Sequence, residues 1–160
     1  CGMLVGDEEF RRPFKPLPGG KGGAADARLH LWAGDEDILS LEVVKAQFGG
    51  PHTSEPIKAV VADPITGCDE KGFAVPIRGA LVILIRGGCS FEEKCRRVQR
   101  TGGKGCIVVN TRGKVTAMTP GEGGAKDIDI PVGMVEKGTL EKIEELKDRG
   151  TREMLARMVV

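Results

Sequence analysis

The stretch Ala80–Ile85, ALVILI, is an unbroken apolar run of β-formers. It is too short for a globular helix and long enough for a strand buried on both faces, so the chain must supply a layer on each side of it. The run stops at Arg86-Gly87-Gly88, where two glycines allow a turn with positive φ. Ser90 then opens a capping box, in which its hydroxyl takes the amide of Glu93 while the Glu93 carboxylate reaches back to the Ser90 amide. Phe91, Cys95 and Val98 recur at i, i+4 and i+7 and give one apolar stripe. Lys94, Arg96, Arg97 and Arg100 point elsewhere, toward the helix end where the dipole favours cations. Gly102 and Gly103 end the helix, and Cys106–Val109 is a second buried run. The unit reads as strand, helix, strand: a parallel pair with a right-handed crossover.

The rest of the chain arranges itself around this unit. Residues 1–26 hold Arg11-Arg12-Pro13, Pro16, Pro18-Gly19-Gly20 and Gly22-Gly23 without hydrophobic period, which is linker composition, and residues 27–160 form the domain. Ala27–Trp32 and Leu39–Phe48 read as strands around a turn at Gly34-Asp35-Glu36-Asp37. The three acids of that turn lack the regular calcium loop and read as a solvated turn. Ile57–Ala62 is a strand, and Pro64 with Gly67 turns the chain at Cys68. Phe73–Ile77 reads as a short edge strand, because Pro76 has no amide for a ladder. Thr111–Asp129 is rich in glycine and reads as a long, mobile loop with a brief strand at Val115–Met118. Ile130–Val135 returns as a strand. Thr139 caps a last helix whose Leu140, Ile143 and Leu146 face inward, with a Glu145 to Arg149 pair and Gly150 as the stop. Thr151–Val160 alternates as a closing strand, with a helix as the alternative.

At 160 residues and 40% apolar content the chain fits one domain with a sizeable core. A net charge of +1 gives no electrostatic case for nucleic acid, since the basic first helix is balanced by an acidic last one. No apolar run is long enough to span a bilayer, so a membrane link would lie in segments outside this chain. The start Cys1-Gly2-Met3 predicts a processed form or a fragment. The five cysteines form no C-x-x-C, and His30 and His52 lie near no cysteine pair, so neither a metal nor a cofactor is predicted. Cys95 and Cys106 sit on apolar stripes and read as buried thiols, a bridge between them being the weaker possibility.

Arg86-Gly87-x-Cys89-x-Phe91-x-x-Lys94, then Gln99 and the glycine pair, then Ile107-Val108-Val109-Asn110, closely resembles the protease-associated domain, a non-catalytic module of secretory-pathway proteins. The likeness continues upstream in Ala62-Asp63-Pro64 with Cys68 and downstream in Ile130-Pro131-Val132, Gly138 and Leu140. It implies an α/β fold, a partly barrel-like central β-structure flanked by two helices. Cys68 and Cys89 fall in turns beside the central strand, and the resemblance also suggests their disulfide, which closes a loop of about 20 residues worth roughly 3 kcal/mol. Free thiols in a cytosolic protein are the alternative.

In the vacuolar sorting receptors of this family the R-G-x-C loop takes part in binding cargo peptide. The resemblance therefore implies peptide or protein binding at Arg86, Gly87, Gly88 and Ser90. Those receptors have an acidic residue where Gly88 stands, which leaves the peptide specificity open and the fold intact. Other relatives flank catalytic domains of peptidases and mannosidase-like degradation factors, or precede a membrane span and RING domain. The implied role is recognition or substrate access in a lumenal, vacuolar or secreted setting, with a peptide, a protein or an adjacent catalytic domain of the parent chain as partner. The alternative is a small enzyme: a hydrolase using Ser54 and His52, or an anion-binding transferase at the Ser90 helix start.

Overall fold

The structure is a computed structural model that describes residues 27–33, 38–51, 55–121, 123–149 and 153–159, without the side chains of Ile38, Arg149 and Val159. The 1–26 segment, the 34–37 turn, His52, Ser54 and Gly150 lie outside the described residues.

Among the described residues, seven strands and two helices follow one another: β1 (Ala27–Trp32), β2 (Ile38–Lys45), β3 (Ile57–Val61), β4 (Ala80–Ile85), α1 (Phe91–Arg100), β5 (Gly105–Val109), β6 (Val132–Val135), α2 (Thr139–Arg149) and β7 (Leu155–Val159). The strands close into a barrel in the order β1-β2-β6-β5-β4-β3-β7. The pairs β3–β4, β4–β5 and β5–β6 are parallel, and the β4–β5 ladder pairs Val82 with Cys106 and Ile83 with Ile107. The remaining pairs are antiparallel, and β1 closes on β7 with Leu29 opposite Met158. The barrel expected in part is therefore complete, and closure leaves none of these strands with a free edge.

Successive residues of β4 serve two cores. Leu81 and Ile83 point into the barrel, where they meet Leu29, Val43, Ile107 and Val109, and where α2 adds Ile143 and Leu146. Ala80, Val82 and Leu84 point outward and are covered by Cys95 and Val98 of α1 and by Met118, Ala125 and Ile128. This is the two-sided burial that the apolar run requires, and each fully buried aliphatic side chain adds roughly 1.5–3 kcal/mol of transfer free energy. Gly133 of β6 lets the barrel wall close, because a Cβ there would stand 2.4 Å from Val43 Cγ1.

Four expectations fail. Phe73–Ile77 is not a strand: Ala74 N–H bonds to Asp63 O at 2.6 Å and Ile77 is buried, so the segment folds over the outer core without joining a ladder. Val115–Met118 is not a strand either, although Met118 is buried and its carbonyl accepts from Gln47 N–H at 2.8 Å. The segment around it is tied to α1 rather than loose. Glu92 accepts from Gly121 N–H (2.8 Å), Arg96 pairs with Asp127 (2.6 Å), and Gln99 bonds to Asp127 O, Asp129 N–H and Ile130 N–H. The fourth is Lys94, which does not point away from the core with the other cations of α1: it is fully buried.

Candidate functional site

The loop Arg86–Ser90 joins β4 to α1, and its shape is fixed from three directions. Gly87 (φ 112°) and Gly88 (φ 86°) take the left-handed backbone that glycine adopts without a Cβ penalty. A Cβ at Gly88 would stand 2.9 Å from Cys68 Sγ, so the disulfide also fills the space that a larger residue needs. Cys68 and Cys89 are bonded, with their Cα atoms 5.8 Å apart. The preceding turn comes within reach because Ile85 N–H bonds to Ile65 O at 2.9 Å, which carries residues 65–68 along the end of β4.

Two cations of α1 hold this pair of turns from beneath. Helix side chains lean toward the helix N-terminus, so Lys94 on the first turn reaches back under the loop. Its Nζ donates to Thr66 O at 2.7 Å and to Gly87 O, and lies 3.5 Å from Cys68 Sγ. Arg97 Nη1 donates to Gly67 O at 2.7 Å. Burial pulls the Lys94 ammonium below its ordinary pKa, as loss of hydration disfavours the charged form. The carbonyl dipoles take the place of the missing water.

Above the loop stands Arg86. It is half-buried, with Nη1 donating to Asn110 Oδ1 at 2.8 Å and the guanidinium 5.5 Å from the centre of the Phe91 ring. Asn110 directly follows β5 and is itself buried. Its Oδ1 also accepts from Thr111 N–H (3.0 Å), and its Nδ2 donates to Gly113 O (3.1 Å). Gly87, Gly88 and Ser90 are exposed.

Ser90 is the N-cap of α1, accepting from Glu93 N–H at 3.3 Å as expected. The reciprocal contact differs: the Glu93 carboxylate accepts from the Ser90 hydroxyl (3.3 Å) where a capping box uses the Ser90 amide. The hydroxyl is thereby engaged on both sides. Glu92 and Glu93 also fill the first turn of α1 with negative charge.

The structure therefore brings Arg86, Gly87, Gly88, Cys89, Ser90 and Cys68 together. It adds Lys94, Arg97 and Asn110, whose roles the one-dimensional reading missed. The signal for Lys94 was its first-turn position after a glycine pair, where a long side chain leans back over the loop. Among the described residues no group of three His, Cys, Asp or Glu side chains could hold a metal ion.

A closed barrel carrying one outer helix, with a disulfide-pinned loop at that helix's start, defines the class as a small α/β barrel domain. A family model described as "PA domain" matches residues 56–143, and the chain belongs to that protease-associated domain family. It is 27% identical to "Signal peptide peptidase-like 3" of Oryza sativa subsp. japonica over 158 residues, covering 94% of this chain and 30% of that protein. It is 32% identical to "Receptor homology region, transmembrane domain- and RING domain-containing protein 5" of Arabidopsis thaliana over 135 residues, covering 78% of this chain and 41% of that protein. Among solved structures, an aminopeptidase from Aneurinibacillus sp. strain AM-1 superposes with a TM-score of 0.59 at 19% identity, over 88% of this chain and 31% of that one. That likeness shows the fold. The chain spans between 30% and 41% of the two curated relatives' lengths, so it is homologous to one part of larger proteins.

Proposed function

We propose that this PA domain is a recognition module with no chemistry of its own, which binds a peptide or protein partner, or an adjacent catalytic domain of its parent chain, through Arg86, Gly87, Gly88 and Ser90. The observation that carries this reading is the posture of Arg86. One donor of its planar fork goes to Asn110 and one face lies toward Phe91, which leaves the rest of the fork for a carbonyl or carboxylate beside the exposed Gly87-Gly88 backbone. A side chain fixed before binding loses less rotamer freedom when the ligand arrives.

The enzymatic alternatives draw less support. At Ser90 the hydroxyl is held by Glu93, and the first-turn carboxylates oppose an anion there. Ser54 and His52 lie outside the described residues. The Cys68–Cys89 bridge suits a lumenal or extracellular location, and the receptor-homology relative, by its name, carries a transmembrane domain outside a region of this kind.

The test is binding of the wild-type chain and of Arg86→Ala to an array of immobilised peptides of defined sequence, with thermal midpoints measured in parallel. A loss of at least about tenfold at an unchanged midpoint is expected, since one charge-assisted contact is worth roughly 1.5–3 kcal/mol. Equal binding by the variant, or a large drop in its midpoint, would remove Arg86 from the site. Hydrolysis of p-nitrophenyl esters or phosphates that vanishes in Ser54→Ala or Ser90→Ala would overturn the non-enzymatic reading.

A further inference from the structure

We propose that Cys95 and Cys106 form a second disulfide, which joins the middle of α1 to the start of β5 beneath the recognition loop. The two Sγ atoms stand 2.8 Å apart, inside the separation at which two unbonded sulfurs settle and short of the approach that leads to a bond of about 2.05 Å. Neither residue has solvent exposure, and both belong to the outer core with Val82, Val98 and Val108. Nothing polar separates them.

The crossover supplies the reason for this closeness. Cys95 lies on the stripe of α1 that faces the sheet, and Cys106 pairs with Val82 on the face of the sheet that α1 covers. The two lie eleven positions apart along the chain, so the helix, turn and strand already bring the ends of this loop together before any cross-link. The chain also closes the Cys68–Cys89 bridge just before the start of the same helix, and conditions that oxidise one pair are available to the other.

The pair is not arranged as a reversible sensor. Burial pushes the Cys95 thiol well above its ordinary value, whereas redox-sensing cysteines are acidic and accessible. The bond therefore forms while α1 docks on the sheet. A thiolate of one cysteine attacks a small-molecule or protein disulfide and expels one thiolate, and the thiolate of the second cysteine then attacks the protein sulfur of the mixed disulfide and expels the other. Two S–H bonds are lost and one S–S bond is gained, and the acceptor disulfide takes both electrons and both protons to become two thiols. The product anchors the helix that carries Lys94 and Arg97, the two side chains under Gly87 and Gly67.

Peptide mapping decides the matter. The chain is refolded in glutathione buffers of increasing oxidised fraction, blocked with N-ethylmaleimide in denaturant without reductant, and digested with trypsin. The Cys68–Cys89 bridge links Ala59–Lys71 to Gly87–Lys94 and reports that the buffer is oxidising. Where that link is complete, the dipeptide Cys95-Arg96 is expected joined to Gly105–Arg112, with maleimide labelling of Cys95 and Cys106 at least about tenfold below that of a reduced sample. Full labelling of both cysteines beside an intact Cys68–Cys89 link would overturn the proposal, as would either of them joined to Cys1 or Cys89.

Discussion

Lys94 Nζ donates to the carbonyl oxygen of Thr66 at 2.7 Å, across a separation of 28 residues and without any solvent exposure of the lysine. The same ammonium reaches Gly87 O, so one side chain holds the two turns that the Cys68–Cys89 bond joins. The Arg86–Ser90 loop thus rests on a cation that is stabilised by backbone carbonyl dipoles. Several measurable consequences come from this arrangement and its neighbours.

Replacing Lys94 with Met keeps the apolar stem and removes the donor from two carbonyls. Both bonds are part-buried, so each orphaned acceptor costs about 1–2 kcal/mol, the lower part of the range for buried groups, and Lys94→Met is expected to lose roughly 2–4 kcal/mol in urea unfolding with an unchanged m-value. A midpoint equal to wild type would mean that water replaces the ammonium and that the lysine does not hold the loop.

Gly87 and Gly88 both have positive φ, yet they differ in the space around them. A Cβ at Gly87 meets nothing within 4 Å, while one at Gly88 meets Cys68 Sγ at 2.9 Å. Gly87→Ala is expected to cost about 1–2 kcal/mol from backbone conformation alone, and Gly88→Ala more than that. The order of the two thermal midpoints checks this, and a reversed order would show that the disulfide yields easily.

The Cys68–Cys89 bridge has a sequence separation of 21. Its removal in Cys68→Ser/Cys89→Ser is expected to cost about 3 kcal/mol through the freedom returned to the unfolded chain. Because Lys94 and Arg97 still hold the turn carbonyls, far-ultraviolet circular dichroism should be that of the wild type below the lowered midpoint. Loss of the β-signal at room temperature would show that the bridge is needed for the fold itself.

Asp127 carries a pH dependence of known sign. The Arg96 guanidinium bonds to both of its oxygens, at 2.6 and 2.9 Å, and holds the carboxyl at about 2, below its ordinary 3.8. A value lowered by folding gives a contribution that is complete above pH 3.8 and lost as pH falls toward 2. The stability difference between wild type and Asp127→Asn should therefore be small and constant near neutral pH, shrink below pH 3.8 and vanish only once the pH is below 2. A difference that does not shrink between pH 3.8 and pH 2 would locate the effect elsewhere than in the ionised pair.

Much of the framework was legible in one dimension. β1 and β4 match their expected limits, the cap falls on Ser90, and the disulfide joins the expected pair, because apolar period, capping chemistry and turn residues act over a few neighbouring positions. Of the proposed site, the R-G-x-C motif located the loop. It said nothing about what lies beneath the loop, since the partners of Lys94 are backbone carbonyls, which every residue type carries.

The sequence by itself determined that Ala80–Ile85 is a central strand with a core on each side, that a capped helix follows it, and that two cysteines flank the turn. These follow from local pattern and from residue types with few alternatives. Only the tertiary structure decided that the sheet closes on itself through β1 and β7, that Gly133 gives way to Val43, that Phe73–Ile77 covers the core instead of pairing, and that α1 holds the segment around Gly121 and Asp127. Each of these depends on which distant surfaces meet. The same meeting of helix and turns places the ammonium of Lys94 under Gly87, where a charged residue read from its own neighbours would be assigned to water.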